Sequence, residues 1–302
     1  MQNREDLLRL DIQMYPAVST KNPSAVEAEV QAAYQSMFPK GDRLFVPQVF
    51  GWALQCFAGE YRDYQAVDAR YHDFEHTLQG TLCMTRLLRG RHLARAEPML
   101  TQRMCELGLL AILLHDTGYL KKRDDTEGTG AKYTVVHVRR SAEFAGQLLR
   151  EKGFSASEIQ SVQDMIQCTG VDAALSAIPF QSEMEKVAGF ALASADLLGQ
   201  MAADDYVEKL PILYSEFAEA AQYTRDQPTF IGSFTSAADL MRKTPAFWEK
   251  FVLVKLDRDF GGLHRFLNDP YPTGPNEYLE RIEANMERLK LSLVGAEKMQ
   301  NA

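Results

Sequence analysis

Cysteine is scarce in this chain. Four occur in 302 residues, at Cys56, Cys83, Cys105 and Cys168, and no two are close enough to form a CxxC clip. They read as reduced thiols. Positive charge is short as well: 33 Lys and Arg stand against 41 Asp and Glu, for a formal charge of -8. That argues against a nucleic-acid polymer or an anionic membrane as partner. It leaves room for a small anionic substrate, because a bound metal and a few basic residues outweigh the global field locally. Long apolar runs are missing too. The longest, 107–114, falls far below the roughly 20 residues of a membrane helix and suits a buried core helix. The polar start, Met1-Gln-Asn-Arg-Glu-Asp, does not resemble a secretory signal, so a cytoplasmic location is expected. There is no internal repeat, low-complexity tract or convincing linker. Histidine is rare, six in all, which gives each one weight.

A 46% hydrophobic chain of this length can bury a sizeable core. Its patterning is helical. Val26, Val30 and Tyr34 repeat every four residues and predict a helix over 24–38 with Ser24 as N-cap. Val49, Trp52, Ala53 and Cys56 predict another over 46–59. The next is expected to begin near Tyr71 and fade near Gly90. The run 101–116 is apolar almost all round, as at the centre of a bundle; Leu and Ala dominate it, so helix is preferred to strand. Residues 117–135 are polar and Gly-containing, and so long a segment between helices is often functional. His137 opens a helix to about Glu151. Ser155 with Glu158, and Ser182 with Glu185, form capping boxes for two more. Residues 205–302 read as further helices punctuated by Pro211, Pro228, Pro245 and the cluster from Pro270 to Pro275. Residues 1–23 look like an irregular arm. The expectation is one all-helical domain over 1–302, with a core at about 45–220 and accessory helices at 1–44 and 221–302.

The chemistry-bearing residues cluster around Tyr71-His72-Asp73-Phe74-Glu75-His76. Two histidines four apart share a face if the stretch is helical. Downstream, the apolar run ends in His115-Asp116. An adjacent imidazole and carboxylate there are costly to bury without a compensating cation; a hydrogen-bonded pair at a helix C-terminus is the alternative. Asp196 sits in a small, apolar context and needs a partner, either a metal or an arginine. With His137, these residues form a nitrogen and oxygen donor set suited to Zn, Fe, Mn, Ni, Co or Mg. His92 and His264 read as ordinary surface or core histidines. Among the flanking basic residues, Lys132 and Arg140 stand nearest His137 and are the candidates to hold phosphate.

In this order, His76, His115-Asp116 and Asp196, with Leu-Leu-His-Asp-Thr-Gly-Tyr around the pair, resemble the HD-domain metal-dependent phosphohydrolase superfamily over about residues 70–200. The resemblance implies an all-α, phosphodiesterase-like bundle in which His76, His115, Asp116 and Asp196 bind a first divalent metal. It implies His137 at a second, with Asp116 bridging. Tyr71 to His76 is similar to the Tyr-His-Asn-x-x-His motif of class I cyclic nucleotide phosphodiesterases, where the first histidine is the general acid. His72 takes that role here by the match, beside Asp116 as the second catalytic residue. Two departures stand out. Thr117-Gly118-Tyr119 replaces the histidine and Pro-Gly of those enzymes, so cyclic nucleotide specificity does not carry over. The stretch Met165 to Gly170 lacks the further histidine of six-ligand members. The implied function is hydrolysis of a small phosphorylated metabolite or nucleotide by metal-activated water. Homo-oligomers are compatible with it. The rivals are a di-iron oxygenase and an inactive HD-domain metabolite sensor.

Overall fold

In a computed structural model, residues 17–224 and 230–300 are described. Ten α-helices and no named strand occur among them, so the fold is all-α. The helices are α1 (Pro23–Met37), α2 (Phe45–Phe57), α3 (Phe74–Leu93), α4 (Gln102–Leu114) and α5 (His137–Glu151). They continue as α6 (Ala156–Gln167), α7 (Glu183–Met201), α8 (Tyr206–Tyr223), α9 (Ala237–Phe247) and α10 (Glu277–Gln300). No helix among the described residues is long and apolar enough to cross a membrane.

The apolar run becomes the centre of the bundle. Every residue from Cys105 to Leu114 is buried, and α4 lies against α2, α3, α5, α6 and α7. One continuous apolar core runs from Val26 on α1 to Leu289 on α10. All four cysteines are free and buried within it.

Local chemistry sets the helix starts. Ser155 and Glu158 form the expected reciprocal box at α6. At α7 only half of a box forms. The Ser182 hydroxyl accepts from the Glu185 N–H, while the Glu185 carboxylate turns to the Ser161 hydroxyl at 3.0 Å. At α1 the cap is Asn22 rather than Ser24, with Pro23 in the first turn. The third helix starts at Phe74, not Tyr71, because Asp73 caps it and accepts from the His76 N–H at 2.9 Å. Two prolines expected between helices lie inside them: Pro211 in α8 and Pro245 in α9. Each removes one backbone hydrogen bond without ending its helix. After Pro245 the chain continues through two π-helical turns to Asp259. Most of the predicted N-terminal arm, and Pro228, lie outside the described residues.

Segment 117–135 is more ordered than its composition suggests. It holds two 3-10 turns, Thr117–Tyr119 and Gly130–Tyr133, and one antiparallel bridge from Lys122 to Tyr64. Lys121 pins it by pairing with Asp68 at 2.9 Å and donating to the Gly128 carbonyl at 2.6 Å.

The α3–α7 crossing brings distant parts of the chain together, and Gly199 makes it close. A methyl group there would lie 2.6 Å from the Gln79 carbonyl oxygen and 2.8 Å from the Gly80 nitrogen, both backbone atoms of α3. Side-chain motion cannot relieve such a clash. Gly199→Ala is therefore expected to destabilise by about 1–3 kcal/mol, reduced by roughly 1 kcal/mol of gained helix propensity. Gly51 on α2 has nothing within 4 Å of its added methyl, so Gly51→Ala should stabilise by up to about 1 kcal/mol. Denaturant unfolding of both variants checks the pair. Equal stabilities would mean that α3 and α7 do not need this contact distance.

Candidate metal centre

Four helices deliver the donor set. His76 is the third residue of α3, so the Asp73 cap that starts the helix also fixes its backbone. His115 is the C-cap of α4, and Asp116 follows where the chain breaks into a 3-10 turn. Asp196 lies in the C-terminal half of α7, and His137 opens α5. The 116–119 turn is bound to α5: the Gly118 N–H donates to the Ser141 hydroxyl at 2.8 Å. A side chain at Gly118 would collide with the His137 carbonyl.

The geometry is tight. His76 Nε2 stands 3.2 Å from both Asp116 Oδ2 and Asp196 Oδ1. His115 Nε2 stands 3.3 Å from the same two oxygens. His76, His115 and Asp116 are all but sealed from solvent. Yet His115 Nε2, Asp116 Oδ2 and Asp196 Oδ1 have no hydrogen-bond partner. Buried polar atoms in that condition cost roughly 1–3 kcal/mol each, unless a ligand satisfies them. Around an ion with bonds of about 2.0–2.2 Å, neighbouring donors stand roughly 3.0–3.5 Å apart. Two imidazoles and two carboxylates at this spacing fit a divalent cation. The tautomer fits too. His115 Nδ1 donates to the Ile112 carbonyl at 2.7 Å, which leaves the Nε2 lone pair facing the carboxylates.

Electrostatics make the same demand for positive charge. Burial pushes the His76 imidazolium down, but Asp116 and Asp196 overcome it and raise its pKa to about 10. Burial opposes the charged form of Asp116, yet His115 and His76 hold it well below the usual carboxylate range. Asp196 is depressed by the same two rings against the same burial. Without a metal, the two carboxylates draw protons onto the histidines. His137 stands outside this square, with Nε2 3.8 Å from Asp116 Oδ1. Burial lowers its pKa, and its Nδ1 donates to the Thr134 carbonyl at 2.6 Å. Asp116 thus turns one oxygen to the four-donor set and the other toward His137.

His72 is not on the helix with His76, so the shared-face argument fails. It precedes the Asp73 cap. The two rings still approach, with centroids 5.3 Å apart, because tertiary contacts set the loop. His72 Nδ1 meets Glu216 Oε2 of α8 at 2.6 Å. The ring stacks on Tyr119 at 4.4 Å, and Tyr119 stacks on His137 at 4.8 Å. Glu216 also accepts from the Tyr71 N–H at 2.7 Å. Burial raises the Glu216 pKa, but His72 and the Tyr71 and Arg70 N–H groups bring it below its ordinary value.

Glu216 is the residue that sequence reasoning missed. Its one signal is a carboxylate set beside the buried residues Tyr206, Val207, Leu210 and Ala220. Tyr119, within the Leu-Leu-His-Asp-Thr-Gly-Tyr stretch, also reaches the site. The other two carboxylates of the histidine stretch do not join the donor set: Asp73 caps α3, and Glu75 pairs with Lys209 at 3.0 Å.

Lys132 and Arg140 need correcting as phosphate ligands. Lys132 is bound to Asp125 and to the Glu127 carbonyl. Arg140 donates to the Gly118 and Leu120 carbonyls at 2.7 and 2.9 Å and lies 3.5 Å over the Tyr133 ring. Both clamp the 117–135 segment, and neither lines the cavity at the metal centre. Proximity in sequence to His137 did not place their side chains there. His92 packs on Phe38, and His264 is buried 3.8 Å from Asp257, both away from the site.

That cavity measures about 590 Å³ and is lined by His72, His76, Asp116, Tyr119, His137 and Asp196 at one end. Residues of α8, α9 and the Phe230–Ser233 turn line the other. Lys243 is the one lysine or arginine in its wall among the described residues. It donates to Asp239 at 2.8 Å and to the Ser233 carbonyl at 3.0 Å.

No curated protein matches the chain. A family profile matches residues 25–264, a span from α1 to the turn after α9 that contains every donor described above and Glu216. The chain belongs to the Npun_R2479-like family.

Proposed function

We propose that this chain is a metal-dependent hydrolase of phosphate esters, of the HD-domain type that its motifs resemble. The observation that carries the reading is the square of His76, His115, Asp116 and Asp196. Three of its buried donor atoms lack partners, and it opens on a cavity. When bound there, a divalent cation supplies activated water near neutral pH and offsets charge on the phosphoryl oxygens.

The chain's own residues do the rest. The four donors would hold that cation at the end of the cavity where His72 also lies. Glu216 holds His72 by Nδ1, so Nε2 is the nitrogen left to meet the substrate. As the water oxygen bonds to phosphorus and the ester P–O bond breaks, His72 Nε2 gives its proton to the departing oxygen. Solvent returns a proton to the ring, and the proton lost by water leaves with the phosphate or to bulk. Tyr119 packs against both His72 and His137 and so helps to hold the two rings. The oxygenase alternative needs a sixth ligand between His137 and Asp196. Thr169 and Gly170 line the cavity in that stretch, with no imidazole among Met165 to Gly170.

The metal-loaded protein should release alcohol from phosphate monoesters or diesters, stop on chelation and restart when the metal is returned. A fully loaded protein that turns over none of a broad ester panel would end the hydrolase reading. Glu216 is a positioning residue, and Glu216→Gln should lower kcat by about 10–100-fold, the scale of orienting partners at ligating imidazoles. Metal content should not change. Because Glu216 acts through His72, the double variant with His72→Ala should be no slower than His72→Ala alone. Additive losses would remove Glu216 from that role.

A further inference from the structure

We infer that, granted the hydrolase reading, the substrate is the phosphate ester of an apolar alcohol, with an aromatic or long aliphatic body, and not a nucleotide or a sugar phosphate. The argument comes from the cavity wall facing the donors. Leu210, Leu213 and Phe217 on α8, Leu240 and Phe247 on α9 and Val138 on α5 contribute to it. At about 590 Å³ the space takes a ligand well beyond a bare phosphate.

Most side-chain polar groups of the wall beyond the donors are already committed, and the Tyr119 hydroxyl, buried beside His72, is the exception at the metal end. The Thr134, Thr169 and Thr244 hydroxyls donate to the Ala131, Ile166 and Leu240 carbonyls at 2.7, 2.9 and 2.9 Å. Gln200 uses both ends of its amide, accepting from the Tyr71 hydroxyl at 2.8 Å and donating to the Asp196 carbonyl at 3.1 Å. Lys243 is paired with Asp239. A ribose, a sugar ring or a base edge would lose its water here and meet few open partners for its several polar groups, a cost that decides against it. Asp172, exposed and in the wall, repels any further phosphate. An apolar body gains from the same surface. This gives the C-terminal helices a role: α8 and α9 build the specificity wall.

The test uses the manganese-loaded full chain. Calorimetry compares 2-naphthylmethylphosphonate with methylphosphonate and with adenosine monophosphate, and turnover compares naphthyl phosphate with glycerol 3-phosphate and the same nucleotide. The naphthyl compounds should be favoured at least about tenfold in both. Leu213→Asp, on a partly exposed face of α8, should erase that preference while keeping the metal; Leu213→Ser serves if the aspartate variant does not fold. Preference in binding with no turnover of any ester takes down the hydrolase reading and leaves the ligand class standing. Turnover that favours the nucleotide or glycerol 3-phosphate overturns the inference and keeps the hydrolase. No preference in either measurement overturns the inference as well.

Discussion

Asp116→Ala is expected to abolish metal retention. Its Oδ2 is shared by His76 and His115 at 3.2 and 3.3 Å, and its Oδ1 faces His137. Among the described residues, no other carboxylate pairs with both imidazoles of the square and the third histidine. Removal leaves Asp196 as the sole carboxylate against two buried rings. Outer partners of metal ligands are worth about 10–100-fold in affinity, so a shared carboxylate should exceed roughly 100-fold. Elemental analysis of freshly purified protein reads this directly. Thermal unfolding reads it again: at a hundredfold excess over Kd a metal stabilises by about 2.7 kcal/mol, and that increment should vanish in the variant. Proton and cation compete for His76, so uptake by the unmutated protein should weaken as pH falls. Full metal content in Asp116→Ala would sink the ligand assignment. Two irons per chain in the unmutated protein would move the reading to the oxygenase class.

The parts of this site legible in the sequence were those where burial and chemistry conflict. His115-Asp116 stood out because an apolar run ended on two polar groups, and Asp196 because nothing nearby in sequence could satisfy it. The structure brings both to His76. The all-α fold was legible for a different reason: period and capping residues agreed along most of the chain. What failed depended on tertiary contact. Asp73 turned out to start a helix, so His72 lies in the preceding loop and reaches the site through Glu216, 144 residues away. Lys132 and Arg140 looked like phosphate ligands from their place beside His137, but carbonyls and Asp125 hold them elsewhere. The prolines of α8 and α9 sit inside helices whose packing outweighs the bond each one loses. No local pattern marks which wall of a cavity a distant helix will supply, so the apolar contribution of α8 and α9 emerges only in three dimensions.

His72→Ala is expected to split substrates by leaving group. Alkyl phosphates leave as strongly basic alkoxides and depend on a donated proton. General acid catalysis of that kind contributes about 10²–10⁴-fold. Nitrophenyl esters leave as stable phenolates and depend on it little, so their rate should fall by less than about tenfold. The plot of log rate against leaving-group pKa should therefore steepen in the variant. Metal content should hold, because His72 lies outside the His76, His115 and Asp116 group and its Nδ1 is bound to Glu216. Loss of the stack on Tyr119, 4.4 Å away, should cost about 0.5–1.5 kcal/mol of stability. That is too little to unfold the protein, and it acts on all substrates alike. The split is what separates the two roles. If His72 only braces Tyr119 and the loop before α3, both ester classes slow together. If Nε2 is the proton donor, the alkyl esters slow far more at unchanged metal content.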